Sequence, residues 1–366
     1  MYLARRNLLK DKTRMALSIA GVALAVMLIL VLNGLLDGLY RQITSYLDES
    51  PASIVVAQED VANMLGSSSL LPAASAARVE SIRGVDEVVP ILSQFVILDL
   101  HEKKQPAYMV GYDPDQGGGP WELAAGREPR RKTEVVFDRV LAERHGIRIG
   151  DSLEVLGKDF TIVGLSNGTT SWMTSFIFVE KKAAENLLLT PGGTSFLLVT
   201  TSPGADLDDI IRRVSRQSGV NALAKSEMAS NDLKLFAKVF SAPLRLMVVI
   251  AFLVGTMMVG LVIYTITVER QREFGVIKAI GATNGVLYRV VLFQALTAAL
   301  LGTFVGVLMA YGVSQWIMSA RPQFLIFLDP RMIAWALVAG LGMALISALF
   351  PARLVARLAP AEVFRR

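Results

Sequence analysis

The sequence predicts an α-helical membrane protein with four transmembrane helices and an α+β domain between the first and second of them. Hydrophobic residues make up 53% of the 366-residue chain and the mean hydropathy is +0.48, values too high for an ordinary soluble protein. Four long apolar runs occur, and most of the polar sequence lies between the first and the second. This pattern predicts one large domain outside the bilayer.

The first apolar run covers residues 15–36 and carries no charge. As a helix it would be about 33 Å long at about 1.5 Å per residue, which matches a hydrocarbon core of about 30 Å. The preceding residues 1–14 are basic and predict a cytoplasmic amphipathic helix in the headgroup layer. A basic start and an apolar run also describe a signal peptide. The length of the run, and the lack of a small-x-small site before Asp37, favour an uncleaved helix.

Residues 37–240 have the composition of a soluble α+β domain. We expect residues 37–49 to continue the first helix as a stalk, and a helix from about residue 229 to lead back to the membrane. Alternating and β-rich stretches predict strands and helices between them. The predicted strands are 53–58, 88–100, 153–156, 160–165, 175–179 and 195–201, and the predicted helices are 74–83 and 206–218. We expect a small β subdomain inserted at about 106–193, and turns at Gly117–Gly119 and Gly150-Asp151.

Three further spans are predicted at 241–268, 286–318 and 332–350, with an extracytoplasmic loop at 319–331. The third span contains Gly302 and Gly306, a GxxxG pair that allows two helices to approach closely. Pro351 is expected to stop the fourth helix, and residues 351–366 are expected to form a cytoplasmic tail.

Lysine and arginine residues beside the spans predict the orientation. Five lie in residues 1–14, four in 269–289 and four in the tail, whereas the loop 319–331 has two. We therefore expect both termini in the cytoplasm and the large domain outside. The net charge of +5 follows from this distribution and does not indicate a nucleic-acid partner.

The segment 269–285 joins the second and third spans and is predicted to be a short helix at the cytoplasmic surface. Phe274, Ile277 and Gly281 recur at helical spacing beneath a mixed-charge cluster. Gly281 can end the helix with a positive φ, and Thr283 can cap the next helix. Such an element suits contact with a soluble partner that applies force. The alternative is an ordinary charged loop without a partner.

Several chemistries are absent from the sequence. There is no cysteine, and the two histidines, His101 and His145, lie in no metal-ligand spacing. No Gly-x-x-x-x-Gly-Lys-Ser/Thr phosphate loop, His-Glu-x-x-His or Gly-x-Ser-x-Gly motif occurs, and no span holds an acidic pair for an ion relay. We therefore expect no catalytic, cofactor-binding or metal-binding residues, so the chain is not expected to be an enzyme.

The segment from Glu269 to Ala282 resembles the signature R-x-R-E-hydrophobic-G-x-x-K-A-I-G-A of the permease subunits of MacB/FtsX-like ABC transporters. Phe274 stands where isoleucine or leucine is more usual, which keeps the apolar character. In that family this segment is the coupling helix, which docks on the ATPase subunit. The resemblance therefore implies ATPase-coupling roles for Glu269, Arg270, Arg272, Glu273, Phe274, Gly275, Lys278, Ala279, Gly281 and Ala282.

The resemblance extends to Arg6-Asn7-Leu8, to parts of 126–164 typical of the MacB-type exported domain, and to the closing segments 350–353 and 358–365. It implies a bacterial or archaeal cytoplasmic membrane and a second permease copy or paralogue. It also implies a cytoplasmic ABC ATPase dimer that binds ATP and magnesium. Membrane lipid and an extracytoplasmic adaptor or membrane-fusion protein are further expected partners.

The expected function is therefore transmission of ATP-driven motion to the extracytoplasmic domain. An exported region of about 200 residues resembles the branch that exports or extracts hydrophobic, lipid-linked or peptide substrates. The alternative is a membrane sensor or scaffold, with or without an ATPase, that regulates an extracytoplasmic partner such as a cell-wall hydrolase. A membrane hydrolase is disfavoured because no nucleophile or metal constellation occurs.

Overall fold

The computed structural model describes residues 12–100, 103–170, 175–269 and 271–356. The predictions for residues 1–11, His101, Arg270 and the tail from 357 onward fall outside these ranges. The chain divides into two compact units. The helical unit comprises the chain up to Gly38, Phe240–Arg321 and the chain from Leu325, and the α+β unit comprises Leu39–Val239 with Pro322–Phe324.

Four long helices are apolar enough to cross a membrane, and they confirm the four predicted spans. They are α1 (Lys12–Glu49), α6 (Lys225–Glu269), α8 (Asn284–Ala320) and α9 (Pro330–Ala356). The α+β unit lies in sequence between α1 and α6, so the predicted fold class is confirmed. The stalk predictions also hold at the level of secondary structure, because α1 is helical to Glu49 and α6 is helical from Lys225.

The prediction that Pro351 stops the fourth helix is wrong. The helix continues through Pro351 to Ala356, so residues 351–356 of the predicted tail belong to it. Proline removes one backbone hydrogen-bond donor and kinks a helix rather than always ending it. Transmembrane helices tolerate proline because neighbouring groups satisfy the freed carbonyl. Pro243 likewise lies inside α6.

Small residues allow the membrane helices to pack closely. A Cβ atom at Gly302 would lie 2.5 Å from Cβ of Val22, and one at Gly306 would lie 2.7 Å from the carbonyl oxygen of Ala23. Both distances are shorter than non-bonded atoms tolerate, so the close contact of α1 with α8 at these two positions requires glycine in α8. The predicted GxxxG pair therefore lies in a helix–helix contact.

Three hydroxyl groups in the apolar segments are bonded within their own helices, whereas those of Thr303 and Ser314 in α8 are buried without a partner among the described residues. Thr256 donates to the carbonyl of Phe252 at 2.7 Å, Thr267 to that of Ile263 at 2.7 Å and Ser347 to that of Ala344 at 3.1 Å. An unsatisfied polar group in hydrocarbon costs several kcal/mol, so these bonds make the residues compatible with lipid.

The segment between α8 and α9 lies directly on α1. The amide of Phe327 donates to the carbonyl of Gly34 at 3.0 Å. A Cβ at Gly38 would overlap the carbonyl oxygen of Leu325, and one at Gly34 would meet Leu328 at 2.9 Å. Gly34 and Gly38 are one helical turn apart, so together they form a seat for residues 325–328 that no larger residue could provide.

The α+β unit is built on a ten-stranded sheet. Its order is β10-β1-β9-β2-β3-β8-β5-β7-β4, and β6 pairs with β2 and β7. The strands are β1 (Ile54–Gln58), β2 (Val85–Leu100), β3 (Lys103–Tyr112), β4 (Leu123–Gly126), β5 (Glu134–Asp138), β6 (Ser152–Val155), β7 (Lys158–Ser166), β8 (Ser175–Glu180), β9 (Phe196–Thr201) and β10 (Val220–Ala224). The short helices are α2 (Ser75–Glu80), α3 (Arg139–His145), α4 (Lys181–Leu187) and α5 (Leu207–Ser215).

Strand β2 joins two halves of this sheet. Its first part, to Ile91, pairs with β9, and its second part, from Leu92, pairs with β3. One core packs β1, β9 and β10 against α2 and α5, and a second core packs β2, β3, β5, β6, β7 and β8 against α3 and α4, whereas β4 is exposed. The second core includes Leu92, Val96, Leu98 and Leu100 of β2. The predicted insertion at 106–193 therefore begins inside β3, and its half of the sheet shares β2 with the half that contains β1, β9 and β10.

Two aspartates of the α+β unit, Asp151 in the predicted turn and Asp138, have structural roles. Asp151 accepts from the amide of Arg148 at 2.7 Å, and Gly150 has φ of 99°, as the predicted tight turn requires. Buried Asp138 caps α3 and accepts from the amide of Leu141 at 2.8 Å and from Thr169 at 2.7 Å. Burial raises the pKa of Asp138, although these hydrogen bonds oppose the shift.

The Arg127–Glu134 pair makes a testable contribution to stability. The guanidinium donates two hydrogen bonds to Glu134, at 2.7 and 2.8 Å, and lowers the pKa of Glu134 to about 2 against the opposing effect of burial. A depressed pKa stabilises the folded state above the ordinary pKa of 4.5, and that contribution is lost as the pH falls toward 2. We expect Glu134→Gln to cost about 1–2 kcal/mol at pH 7, since Arg127 is half exposed and screened.

The measurement is denaturant unfolding of the detergent-purified chain at a series of pH values. Glu143→Gln is the matched control, because Glu143 pairs with Arg139 at 3.0 Å on an exposed helix face, where such pairs contribute about 0.5 kcal/mol or less. If the free energy of unfolding changed identically with falling pH in Glu134→Gln and in the unmodified chain, this prediction would be contradicted.

Candidate coupling surface

The predicted coupling segment contains a short helix, α7 (Gln271–Ala279), between two membrane-spanning helices. Glu269 is the last residue of α6, and Gly281 and Ala282 follow α7 before α8 begins. The structure thus brings the described members of the predicted site into one local element. Arg270 lies outside the described residues.

One face of α7 is held in the helical unit. Phe274 is only 7% exposed and belongs to the same buried core as Ile263, Leu287 and Val291. Gly275 is also buried, and Lys278 is half-buried. The apolar character at position 274 therefore anchors the short helix.

The opposite face of α7 is exposed. It carries Val276 at 45% exposure, and Ile280, the residue that follows the last residue of α7, is 81% exposed. The amide of Ile280 donates to the carbonyl of Val276 at 3.1 Å, so the two apolar residues are one turn apart. Arg272, Glu273 and Ala279 are exposed beside them. An exposed apolar pair surrounded by charges is typical of a surface that contacts another protein.

Val276 and Ile280 were not among the predicted site residues. Their spacing could have identified them, because at about 100° per residue positions 276 and 280 lie about 160° and about 120° around the helix axis from Phe274, away from the anchored face. The prediction was based on the apolar stripe of Phe274, Ile277 and Gly281 beneath the charges. It therefore found the anchored face and overlooked the apolar part of the exposed face.

The end of α7 follows the prediction in part. Gly281 has φ of 99°, a conformation that favours glycine, and its amide donates to the carbonyl of Lys278 at 3.1 Å. Thr283 occupies the N-cap position of α8, but its side chain forms no capping hydrogen bond. The prediction that the Thr283 side chain caps α8 is therefore wrong.

This surface offers contact rather than chemistry. Among the described residues, no three histidine or acidic side chains converge as a metal site would require. The arrangement is an anchored helix with an exposed mixed apolar and charged face, which can bind a protein and transmit its displacement.

Comparison with known proteins defines the class to which this chain belongs. The family profile for the MacB-like periplasmic core domain matches residues 15–217, and that for the FtsX-like permease C-terminal region matches residues 245–360. The first match alone covers more than half of the chain. The chain is a membrane permease that belongs to the MacB/FtsX family of ABC transporters.

Individual relatives are similar to this chain over most of their length. An uncharacterized ABC transporter permease of Mycobacterium tuberculosis is 26% identical over 310 residues, which is 85% of each chain. A candidate hemin transport system permease, HrtB, of Staphylococcus haemolyticus is 22% identical over 315 residues, 86% of this chain and 84% of that one. The periplasmic region of MacB from Actinobacillus actinomycetemcomitans aligns over 50% of this chain and 94% of its own, with a TM-score of 0.37 and 12% identity.

Membership of this family implies a multi-pass membrane protein with a large extracytoplasmic domain and a partnering ATPase. The four apolar helices and the intervening α+β unit fit that description.

Proposed function

We propose that this permease transmits ATP-driven motion from a separate cytoplasmic ATPase to its extracytoplasmic domain. The observation that carries this proposal is α7, which is anchored by Phe274 and exposes Val276 and Ile280 between two membrane helices. The ATPase would bind this face, and ATP and magnesium would be held in that partner. Glu269 to Ala282 would form the coupling segment, with Arg270 included by sequence resemblance alone.

The continuity of α1 and α6 supports the transmission of motion. Each helix passes from its apolar segment to polar residues of the α+β unit without a break in secondary structure, α1 to Glu49 and α6 from Lys225. A displacement at the cytoplasmic end of α6 would therefore act on residues 225–239. A second permease copy or a paralogue would complete the transporter.

The proposed activity is export or membrane extraction of a hydrophobic, lipid-linked or peptide substrate. The full MacB-type domain supports this choice. One relative carries a name that refers to hemin transport, and hemin is likewise a hydrophobic molecule. The second candidate is a sensor or scaffold that regulates an extracytoplasmic partner. An ATPase and a transport substrate that co-purify from the native membrane would favour the transporter, and an extracytoplasmic partner purified without substrate would favour the scaffold.

Cysteine labelling tests the orientation on which the proposal depends. The chain has no cysteine of its own, so single cysteines can be placed at Leu189, 85% exposed in the α+β unit, and at Ala279, exposed on α7. We expect a membrane-impermeant maleimide to label Leu189→Cys on intact cells and Ala279→Cys only after permeabilisation. Labelling of both on intact cells would contradict the proposal.

A further inference from the structure

The α+β unit contains a small cavity that the proposed coupling role does not use. Its volume is about 210 Å³, well above the roughly 10–15 Å³ that a single water molecule needs. Five separate parts of the chain line it: the end of α1 with residues 50–52, β2, β9, the glycine-rich turn at 116–121, and Glu128. A cavity of this size can hold a small organic molecule.

Aromatic rings form one rigid wall of this cavity. Tyr46 and Trp121 meet edge to face with ring centroids 6.3 Å apart, and both pack on Phe176. The Tyr46 hydroxyl donates to the carbonyl of Gly118 at 2.7 Å, which fixes the turn. A ligand would therefore contact an apolar surface that is already formed before the ligand binds.

The charged residues that line the cavity are all acidic. They are Glu49 and Glu87, both exposed, and Glu128, which is half-buried. Among the described residues, no lysine or arginine lines the cavity, and these carboxylates do not converge as metal ligands. Carboxylates beside aromatic rings attract organic cations by charge and by cation–π interaction.

A buried tyrosine lies behind the cavity wall, beside Glu128. Tyr112 is fully buried, and the hydroxyl-bearing end of its ring lies beneath Gly119. Burial raises the pKa of Tyr112, and so does the Glu128 carboxylate, through its charge and its interaction with the hydroxyl. Tyr112 also lines an adjoining cleft, which shares Gln116 and Glu128 with the cavity and is also lined by Arg127, Arg130, Lys181 and Lys182. An ammonium group beside Glu128 would lie near the Tyr112 hydroxyl, whose oxygen can accept a further hydrogen bond.

We propose that this cavity binds a small organic cation with an apolar body. The positively charged nitrogen would lie beside Glu128 and donate a hydrogen bond to the Tyr112 hydroxyl, and the apolar body would lie against Trp121 and Tyr46. This binding needs neither ATP nor the ATPase, so the proposal does not depend on the coupling role proposed for α7.

Calorimetric titration of the detergent-purified full chain tests this site. The probes are phenethylamine, phenethyl alcohol and hydrocinnamate, which share an aromatic body and carry positive, zero and negative charge at pH 7. We expect the amine to bind about tenfold more tightly than the other two. Glu128→Gln should remove this preference, and Glu154→Gln, a change of an exposed carboxylate that lines neither cavity, should retain it.

Failure of the amine to bind, equal affinities for the three probes, or an amine preference that survives in a folded Glu128→Gln chain would each overturn the proposal. If Glu128→Gln lowers the melting temperature, the test of the proposal rests on the unmodified chain and on Trp121→Leu. The unmodified chain should bind the amine more tightly than the other two probes, and Trp121→Leu should bind the amine more weakly. These outcomes are independent of the labelling and coupling experiments, so either proposal can fail alone.

Discussion

Replacement of Ile280 by aspartate is expected to abolish ATP-coupled activity while the chain still folds and inserts. Ile280 directly follows α7 and is 81% exposed, so the change removes little internal packing of the chain itself. An isoleucine buried against a partner contributes about 2–3 kcal/mol, which corresponds to about 30–150-fold weaker binding of the ATPase when it is lost. Reversal of charge by Glu273→Arg, or a bulky residue at buried Gly275, should uncouple ATP hydrolysis from function in the same way.

The measurements are recovery of the ATPase that co-purifies with the unmodified chain, and the ATPase activity of the complex. Leu189→Asp is the matched control, since it also replaces an exposed apolar residue, at 85% exposure, but in the α+β unit. Full coupled activity in the Ile280→Asp, Glu273→Arg and Gly275 variants would show that α7 is not the coupling surface.

Bulk at Gly302 or Gly306 is expected to destabilise the helical unit strongly. The atoms that a new side chain would meet include the carbonyl oxygens of Ile19 and Ala23, which belong to the backbone of α1 and cannot rotate away. Overpacking of this kind costs about 1–3 kcal/mol per site, and leucine at either position would force the two helices apart. We therefore expect Gly302→Leu and Gly306→Leu to lower the melting temperature and the yield of the detergent-purified chain.

Gly312 supplies the control within the same helix. A Cβ there would meet no atom within 4 Å, so Gly312→Ala should be neutral or stabilising by up to about 1 kcal/mol through helix propensity. Equal stability of the Gly302→Leu and Gly312→Ala chains would indicate that α1 and α8 do not make this contact.

The sequence was most informative where hydrophobic periodicity is long. The four spans and the helical stalks follow from apolar runs of more than one bilayer thickness, and Phe274 followed from its spacing within the coupling segment. Glycine and proline were less informative. Gly281 ends a helix as predicted, whereas Pro351 does not, because the membrane helix accommodates it.

Several strands had no clear sequence pattern. Strand β5 is five residues long and buried throughout, so it has no alternation, and β3 begins with Lys103, Lys104 and an exposed Pro106 before its buried half. The acidic cavity was also unpredictable, since Tyr46, Glu87, Trp121 and Glu128 come from distant segments that only the sheet brings together. Local patterns contain no information about such tertiary proximity.

The seat at Gly34 and Gly38 limits how the first helix can move. A slide of α1 by one turn, about 5.4 Å along its axis, would bring Leu30 or Gln42 under a loop that has room for glycine only. Axial translation past residues 325–328 is thereby blocked in both directions. If α1 moves along its axis, residues 325–328 must therefore move with it.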